Sequence, residues 1–422
     1  MFRLTPARAA VVTAMAAVAA AGAAKADTEI TVQYAYGYNF NDTFNQIGAE
    51  FSKQHPDIRI RFRGPYESYE DATQKVLREA ITNQLPDVTF QGLNQIRLLV
   101  DRGIAVPLDG FIQAEEAFEK EGFHQAMFDI GTLNGKVYAL PFAVSMPVTM
   151  WNLDLVKKAG GDPEKLPASW DEVVALALKI EALEPDINGV TYAWDITGNW
   201  MWQALVFSQG GDMMDAAEKT VTFDGPEGRR GIDILARLTT EAKMPAMTRP
   251  EMRSAFGAGK TGIHITSSSG ISKVTEMVAG KFAMSVGGYP EVKPEVGRLP
   301  AGGNAAMIVA TDDAKGKAAW QFVKFATGPL GAAIMAKTTG YMPPNRLADR
   351  YLETFYAENP NHLAPNRQLS VMTKWYAFPG PNGLKIIDVV KDQLNSIISG
   401  QRAQEPGKVL ANMSADVKAL LP

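Results

Sequence analysis

The chain alternates between two hydrophobic rhythms. Ile30-Thr31-Val32-Gln33-Tyr34 has the two-residue period of a strand, and Phe44, Ile47, Gly48 and Phe51 follow at helical spacing. His55-Pro56-Asp57 stops that helix, and Ile58, Ile60 and Phe62 alternate as a second strand. Another helix is expected over about Ser68 to Asn83, and Pro86-Asp87-Val88-Thr89-Phe90 opens a short buried strand. Strand, helix, strand, helix, strand in so short a span predict βαβ units on a parallel sheet. Farther on, Leu133 to Pro141 reads as a strand pair around Asn134-Gly135, the dipeptide of a tight hairpin turn.

A second unit is expected from Val148. Thr149 to Asn152 reads as a strand, and Ser169-Trp170-Asp171-Glu172 is the cap and first turn of a helix to about Glu181. Helices are expected at Trp200 to Gln209, Glu227 to Thr240 and Pro250 to Phe256, with a strand at Thr261 to Thr266. Ala314 to Thr327 is helical, and Gly328-Pro329 ends it. The pattern predicts an α/β fold in two lobes.

The opening residues have another character. Arg3 and Arg8 precede a run of Ala, Val and Met from Ala9 to Ala24, and Ala24-Lys25-Ala26 places small residues at −3 and −1 of a cut before Asp27. That is the pattern of a secretory signal peptide over residues 1–26, too short and Ala-rich for a membrane span. No cysteine follows to carry a lipid, so a free exported protein in the periplasm is expected. The remaining 396 residues suit two lobes of ordinary size. Loss of Arg3, Arg8 and Lys25 takes the formal charge from −4 to −7, and with no basic excess nucleic-acid binding is not expected. With zero cysteines, burial alone must hold the fold in an oxidising compartment. His55, His124, His264 and His362 show no metal-ligand spacing, so neither metal nor cofactor is expected.

Several segments could carry chemistry. Gly257-Ala258-Gly259-Lys260-Thr261 has the end of a phosphate-binding loop, but Ser254 stands where the motif needs glycine, and the helix precedes the segment instead of following it. A helix-ending turn into a buried strand is the expectation. Ser267-Ser268-Ser269-Gly270 follows a strand end, where hydroxyls and a closely approaching backbone suit a polar ligand. A hydrolase nucleophile would need a Gly-x-Ser-x-Gly elbow, which is absent. Aromatics gather at Tyr34, Tyr36, Tyr38 and Phe40, at Tyr66 and Tyr69, at Trp194, Trp200 and Trp202, and at Trp375, Tyr376 and Phe378. Such clusters at strand ends favour a carbohydrate or polyol cleft, with ring faces stacking on sugars. Trp200, after Gly198-Asn199, is expected in a loop or helix start exposed to that crevice and outside the core. Glu67, Glu70, Asp71 and Asp195 offer carboxylates that glycoside hydrolysis would need in facing pairs, so a secreted glycan-degrading enzyme is the alternative from another class.

The mature chain resembles the extracellular solute-binding proteins of ABC sugar importers. The resemblance rests on Phe51-Ser52-Lys53-Gln54-His55-Pro56-Asp57-Ile58, Leu85-Pro86-Asp87-Val88, Pro141-Phe142-Ala143-Val144-Ser145, Trp151-Asn152-Leu153-Asp154-Leu155, Pro167-Ala168-Ser169-Trp170-Asp171-Glu172, Phe256 to Gly262 and Trp320 to Phe325, in the family's order. Gly64-Pro65-Tyr66-Glu67, Thr339 to Pro343 and Phe355 to Pro360 are similar to the glycerol-3-phosphate-binding branch. The resemblance implies a two-lobe periplasmic-binding-protein fold with a hinge and an interlobe cleft. The cargo would be a sugar, polyol or glycerol conjugate, sn-glycerol-3-phosphate among them, delivered by a monomer to an inner-membrane ABC permease without chemistry. It places ligand contacts on Tyr66, Ser145, Trp200, Ser268 or Ser269, Gly303 and Tyr341, with Asn94 where the branch has an acidic contact, and Tyr36 and Glu67 are further candidate contacts. Where the branch holds phosphate with an arginine, Ile387 stands here, with Lys385 the nearest cation, so mainly neutral recognition is expected. Crossings near 140–148, 300–306 and 342–346 would give lobe one as 27–143 plus 302–343, and lobe two as 144–301 plus 344–422.

Overall fold

The computed structural model describes residues 28–197, 199–309 and 312–422; the expected signal peptide lies outside the described residues. Two sheets organise the chain. The first runs in the order Ile58–Tyr66, Thr28–Ala35, Val88–Gly92, Gly302–Ile308, Leu140–Ser145. Its first three strands are parallel, as the βαβ rhythm predicts, and Gly302–Ile308 inserts antiparallel to both of its neighbours. The second runs Met284–Gly287, Pro147–Asn152, Thr261–Ser267, Asn188–Tyr192. The fold is α/β in two lobes, one around each sheet.

The chain passes from the first sheet to the second through the single residue Met146, between Ser145 and Pro147. It returns just before Gly302, beside a short parallel ladder of Leu299–Pro300 with Met372–Thr373. The third expected crossing, at 342–346, falls earlier than the packing does. Ala348 and Leu352 still lie in the first sheet's core, and from Asn361, which accepts from the Val286 amide, and Gln368, which donates to the Pro147 carbonyl oxygen, the chain packs on the second.

Periodicity explains the first core. Helix Gly37–Gln54 turns Phe40, Phe44, Ile47 and Phe51 inward, and Phe44 stacks on Phe142 with ring centroids 5.4 Å apart. Each such ring contributes roughly 1.5–3 kcal/mol on burial. Beside it runs a fully buried polar ladder in which the Gln91 amide donates to Thr89, Thr89 donates to Gln33, and Thr73 donates to Gln91. Its members satisfy one another, which buried polar groups require.

In the second lobe, helix Trp170–Glu181 starts at the expected Ser169 with a complete capping box. Helix Trp200–Ser208 is buried on every side, so its sequence shows no polar face. Asn134-Gly135 makes the expected hairpin turn, both residues at positive φ. Gly257 ends a helix, and Gly259 (φ 79°) turns the chain into the Thr261–Ser267 strand, so the Gly-Lys-Thr segment is a turn and no phosphate loop. The Asn188–Tyr192 and Gly302–Ile308 strands escape the hydrophobic pattern. Gly302-Gly303-Asn304-Ala305-Ala306 lacks the β-branched residues that mark strands.

Candidate functional site

Between the sheets lies a partly open cavity with about 270 Å³ of empty space, open solvent included. Its wall is built where strands and helices end. Tyr36 follows the Thr28–Ala35 strand in a left-handed conformation (φ 54°), Ser145 closes the Leu140–Ser145 strand, and Ser267 closes Thr261–Ser267. Tyr69, Trp200 and Arg249 are each the first residue of a helix. Gly302, Gly303, Thr197, Ser269, Tyr341, Ile196 and Trp375 complete the wall. Strand ends facing across a crevice are where α/β folds hold ligands. A wider open groove on the first lobe, lined by Phe118, Phe123 and Phe128, draws nothing from the second sheet.

Two glycines make room for the cavity. A Cβ on Gly303 (φ 110°) would sit 1.9 Å from the Ala143 carbonyl oxygen, and one on Gly302 would lie 2.8 Å from the Trp200 ring. Glycine at both positions lets the inserted strand pass against Ser145 and Trp200.

The polar groups converge. Tyr69 and Tyr341 hydroxyls are 3.4 Å apart, and the Asn304 amide donates to Tyr69 at 3.0 Å. Tyr36 meets Tyr69 edge-on at 4.8 Å, and Tyr341 stacks on Phe40 at 5.3 Å. Burial pushes the phenols of Tyr36, Tyr69 and Tyr341 upward, so all three remain hydroxyl donors at neutral pH. Arg249 donates from Nη2 to Ser269 Oγ at 3.2 Å, and its backbone amide is held by Asp195. Among the described residues, Trp200 Nε1 and Asn304 Oδ1 are buried without hydrogen-bond partners.

The structure brings Tyr36, Ser145, Trp200, Ser269, Gly303 and Tyr341 of the expected contacts into this wall. Four others lie elsewhere. Glu67 is exposed, and Tyr66 is half-buried behind Tyr36, whose amide donates to its carbonyl oxygen. Asn94 lines a separate groove with Tyr376, and the Ser268 hydroxyl accepts from the Met146 amide at the sheet crossing. Trp200 is no exposed loop residue: it opens a buried helix at 1% exposure, with Trp375 at 6.4 Å. Lys385, the cation nearest to Ile387 in sequence, does not line the cavity either. Lys385 is exposed and Ile387 lines the Asn94 groove, whereas the cavity's guanidinium comes from Arg249.

Tyr69, Ile196, Thr197, Arg249, Gly302 and Trp375 were not expected as contacts, and Ser267 only as part of the serine cluster. Tyr69 and Trp375 stood in flagged aromatic clusters. Arg249 gave no signal beyond its place at a capped helix start, between Thr248 and Glu251.

No Asp or Glu is among the residues lining the cavity, so it lacks the facing carboxylates of a glycosidase. The Ser272 hydroxyl and His362 Nε2 are 2.9 Å apart, but His362 Nδ1 has no partner among the described residues, and neither residue lines the cavity. A triad would need an acid there. His264 is buried in a strand, bonded to Thr191 at 2.8 Å, with desolvation holding its pKa down at about 3. Among the described residues no cluster of His, Asp and Glu is arranged to hold a metal, and no helix is long and apolar enough to cross a membrane.

The family model for bacterial extracellular solute-binding proteins matches residues 46–364. The sn-glycerol-3-phosphate-binding periplasmic protein UgpB of Escherichia coli K12 is 24% identical over 383 residues, covering 86% of this chain and 85% of the relative. Among solved structures, UgpB of Mycobacterium tuberculosis in complex with glycerophosphocholine superposes with a TM-score of 0.81 at 20% identity, covering 92% of this chain and 97% of that one. An ABC substrate-binding protein of Listeria monocytogenes in complex with cycloalternan gives 0.80 at 19% identity, covering 93% and 98%.

Proposed function

This chain belongs to the bacterial extracellular solute-binding proteins, and from that premise we propose that it captures a sugar, polyol or glycerol conjugate between its lobes and presents it to an inner-membrane ABC permease. The observation that carries the reading is the cavity itself. It joins both sheets, shows aromatic faces from Tyr36, Trp200 and Trp375, and offers hydroxyls from Ser145, Ser269, Tyr69 and Tyr341. Rings that stack on apolar sugar faces beside hydroxyls that exchange hydrogen bonds suit polyhydroxylated solutes.

The mechanism is binding without chemistry. Closure about the Ser145–Pro147 and Pro300–Gly302 crossings would bury the solute, and the closed form is what a permease would recognise. A cavity lining without carboxylates supports a carrier over the glycan-degrading alternative. In the proposed division, lobe one takes 27–145 and 302–358, and lobe two takes the rest of the mature chain. Export through residues 1–26, residence in the periplasm and a monomeric state belong to the same proposal.

A thermal-shift panel of monosaccharides, disaccharides, polyols and glycerol phosphates tests it. A ligand bound to the native state alone raises the melting temperature by mass action. At least one member should do so and be recovered unchanged; a turned-over glycoside would support the enzyme reading instead.

A further inference from the structure

We infer that the solute carries an anionic group, a carboxylate or phosphate, and that Arg249 is the residue that selects for it. This rests on the cavity being the solute site.

The guanidinium sits in the cavity wall at the start of helix Arg249–Gly257. It has five N–H donors in a planar fork that matches a carboxylate or phosphate edge. One hydrogen bond engages them among the described residues, from Nη2 to Ser269 Oγ at 3.2 Å, and no described carboxylate forms an ion pair with them. Asp195, the nearby acid, accepts from the Arg249 backbone amide and does not line the cavity. The nearest arginine on the same helix, Arg253, lies over the Tyr38 ring at 4.8 Å.

Desolvating a guanidinium that no carboxylate bonds directly is costly even with Asp195 close by, and a ligand oxyanion offsets that cost where a hydroxyl cannot. The surroundings agree. Ser269, Tyr36 and Tyr341 add neutral hydroxyls, and the cavity wall contains no acid to repel the ligand.

The test is calorimetry on the full mature protein with matched probes: glycerol, glycerate and sn-glycerol-3-phosphate, then glucose, glucuronate and glucose-6-phosphate. Within at least one series the charged member should bind at least about 100-fold more tightly than its neutral parent, as expected for a charge-assisted bidentate contact. Glycerate or glucuronate leading would identify a carboxylate, and the phosphates leading would identify a phosphate. Arg249→Gln should collapse that preference, Arg249→Lys should keep part of it, and salt should weaken the wild-type complex. Circular dichroism of both variants checks that they fold. Neutral members binding as tightly as charged ones, or a preference unchanged in Arg249→Gln, would overturn the inference while leaving the cavity a solute site. No binding by any member, with the wider panel also silent, would overturn the reading of the cavity itself.

Discussion

Arg97 and Glu218 meet in a two-pronged ion pair where the lobes close together, with Nη1 to Oε1 at 2.6 Å and Nη2 to Oε2 at 2.8 Å. Arg97 comes from the first lobe, just after the Val88–Gly92 strand, and Glu218 from a turn of the second, where Tyr376 also donates to it at 3.0 Å. Arg253 over the Tyr38 ring, at 4.8 Å, makes another contact between the lobes. A partly exposed pair contributes little to folding, but one that exists only when the lobes touch adds its whole contribution to closure. Arg97→Ala should therefore lower solute affinity about three- to five-fold at low salt, within the ~1 kcal/mol of such pairs, and by less at high salt. Small-angle scattering should show a larger solute-free radius for the variant. Identical affinity and radius at low salt would show that the pair does not hold the lobes together.

Trp200 is both wall and core. Its burial and its neighbour Trp375 make Trp200→Ala a large-to-small core change, expected to cost the solute-free protein about 3–5 kcal/mol in denaturant unfolding. Trp200→Phe should recover most of the stability and less of the affinity. A variant Trp200→Ala with full stability would place the ring outside the core, as the sequence by itself suggests.

The inserted strand is held by a conformation that only glycine adopts easily. Gly303→Ala must either leave its φ of 110° or drive a Cβ into the Ala143 carbonyl, so it should destabilise by about 1–3 kcal/mol. Gly270→Ala is the control, since a Cβ there meets nothing within 4 Å. Equal unfolding midpoints for the two variants would contradict the packing described here.

Acid stability should report His264. The unfolded chain takes up a proton on this imidazole below about pH 6.5, while the folded chain resists until about 3 because burial disfavours the charged ring. A depressed pKa means that the stabilisation is complete above pH 6.5 and declines as pH falls from there toward 3, by up to about 1.4 kcal/mol per unit. Between pH 7 and 5, wild type should lose about 2 kcal/mol more than His264→Gln in denaturant titrations. Parallel losses would mean that the imidazole is not the group responsible.

Much of the architecture was legible because periodicity is local. The Phe44, Ile47, Phe51 stripe, the Ser169 cap and the Asn134-Gly135 turn are each decided within a few residues, and each appears where the sequence puts it. Gly302–Ile308 was not legible, because its strand state is imposed by two flanking strands that lie far away in sequence. The site divides in the same way. Tyr36, Ser145, Ser269 and Tyr341 lie at strand ends or loops that could be anticipated. Arg249 could not be singled out among many arginines, since only the closing of one lobe on the other gives its guanidinium a cavity to face. The sequence names Ser268 and Ser269 alike, because one residue's shift at the end of a strand decides which hydroxyl supports the crossing and which accepts from Arg249 in the cavity wall.

Hydrogen–deuterium exchange, with and without the panel solute that gives the largest thermal shift, tests the central claim most directly. The account predicts that the solute slows exchange together at segments 36–40 and 302–304 of the first lobe and at 200–203 and 269–272 of the second, because one molecule in one cavity touches both. Protection confined to a single lobe, or centred on the Phe118, Phe123 and Phe128 groove, would contradict it.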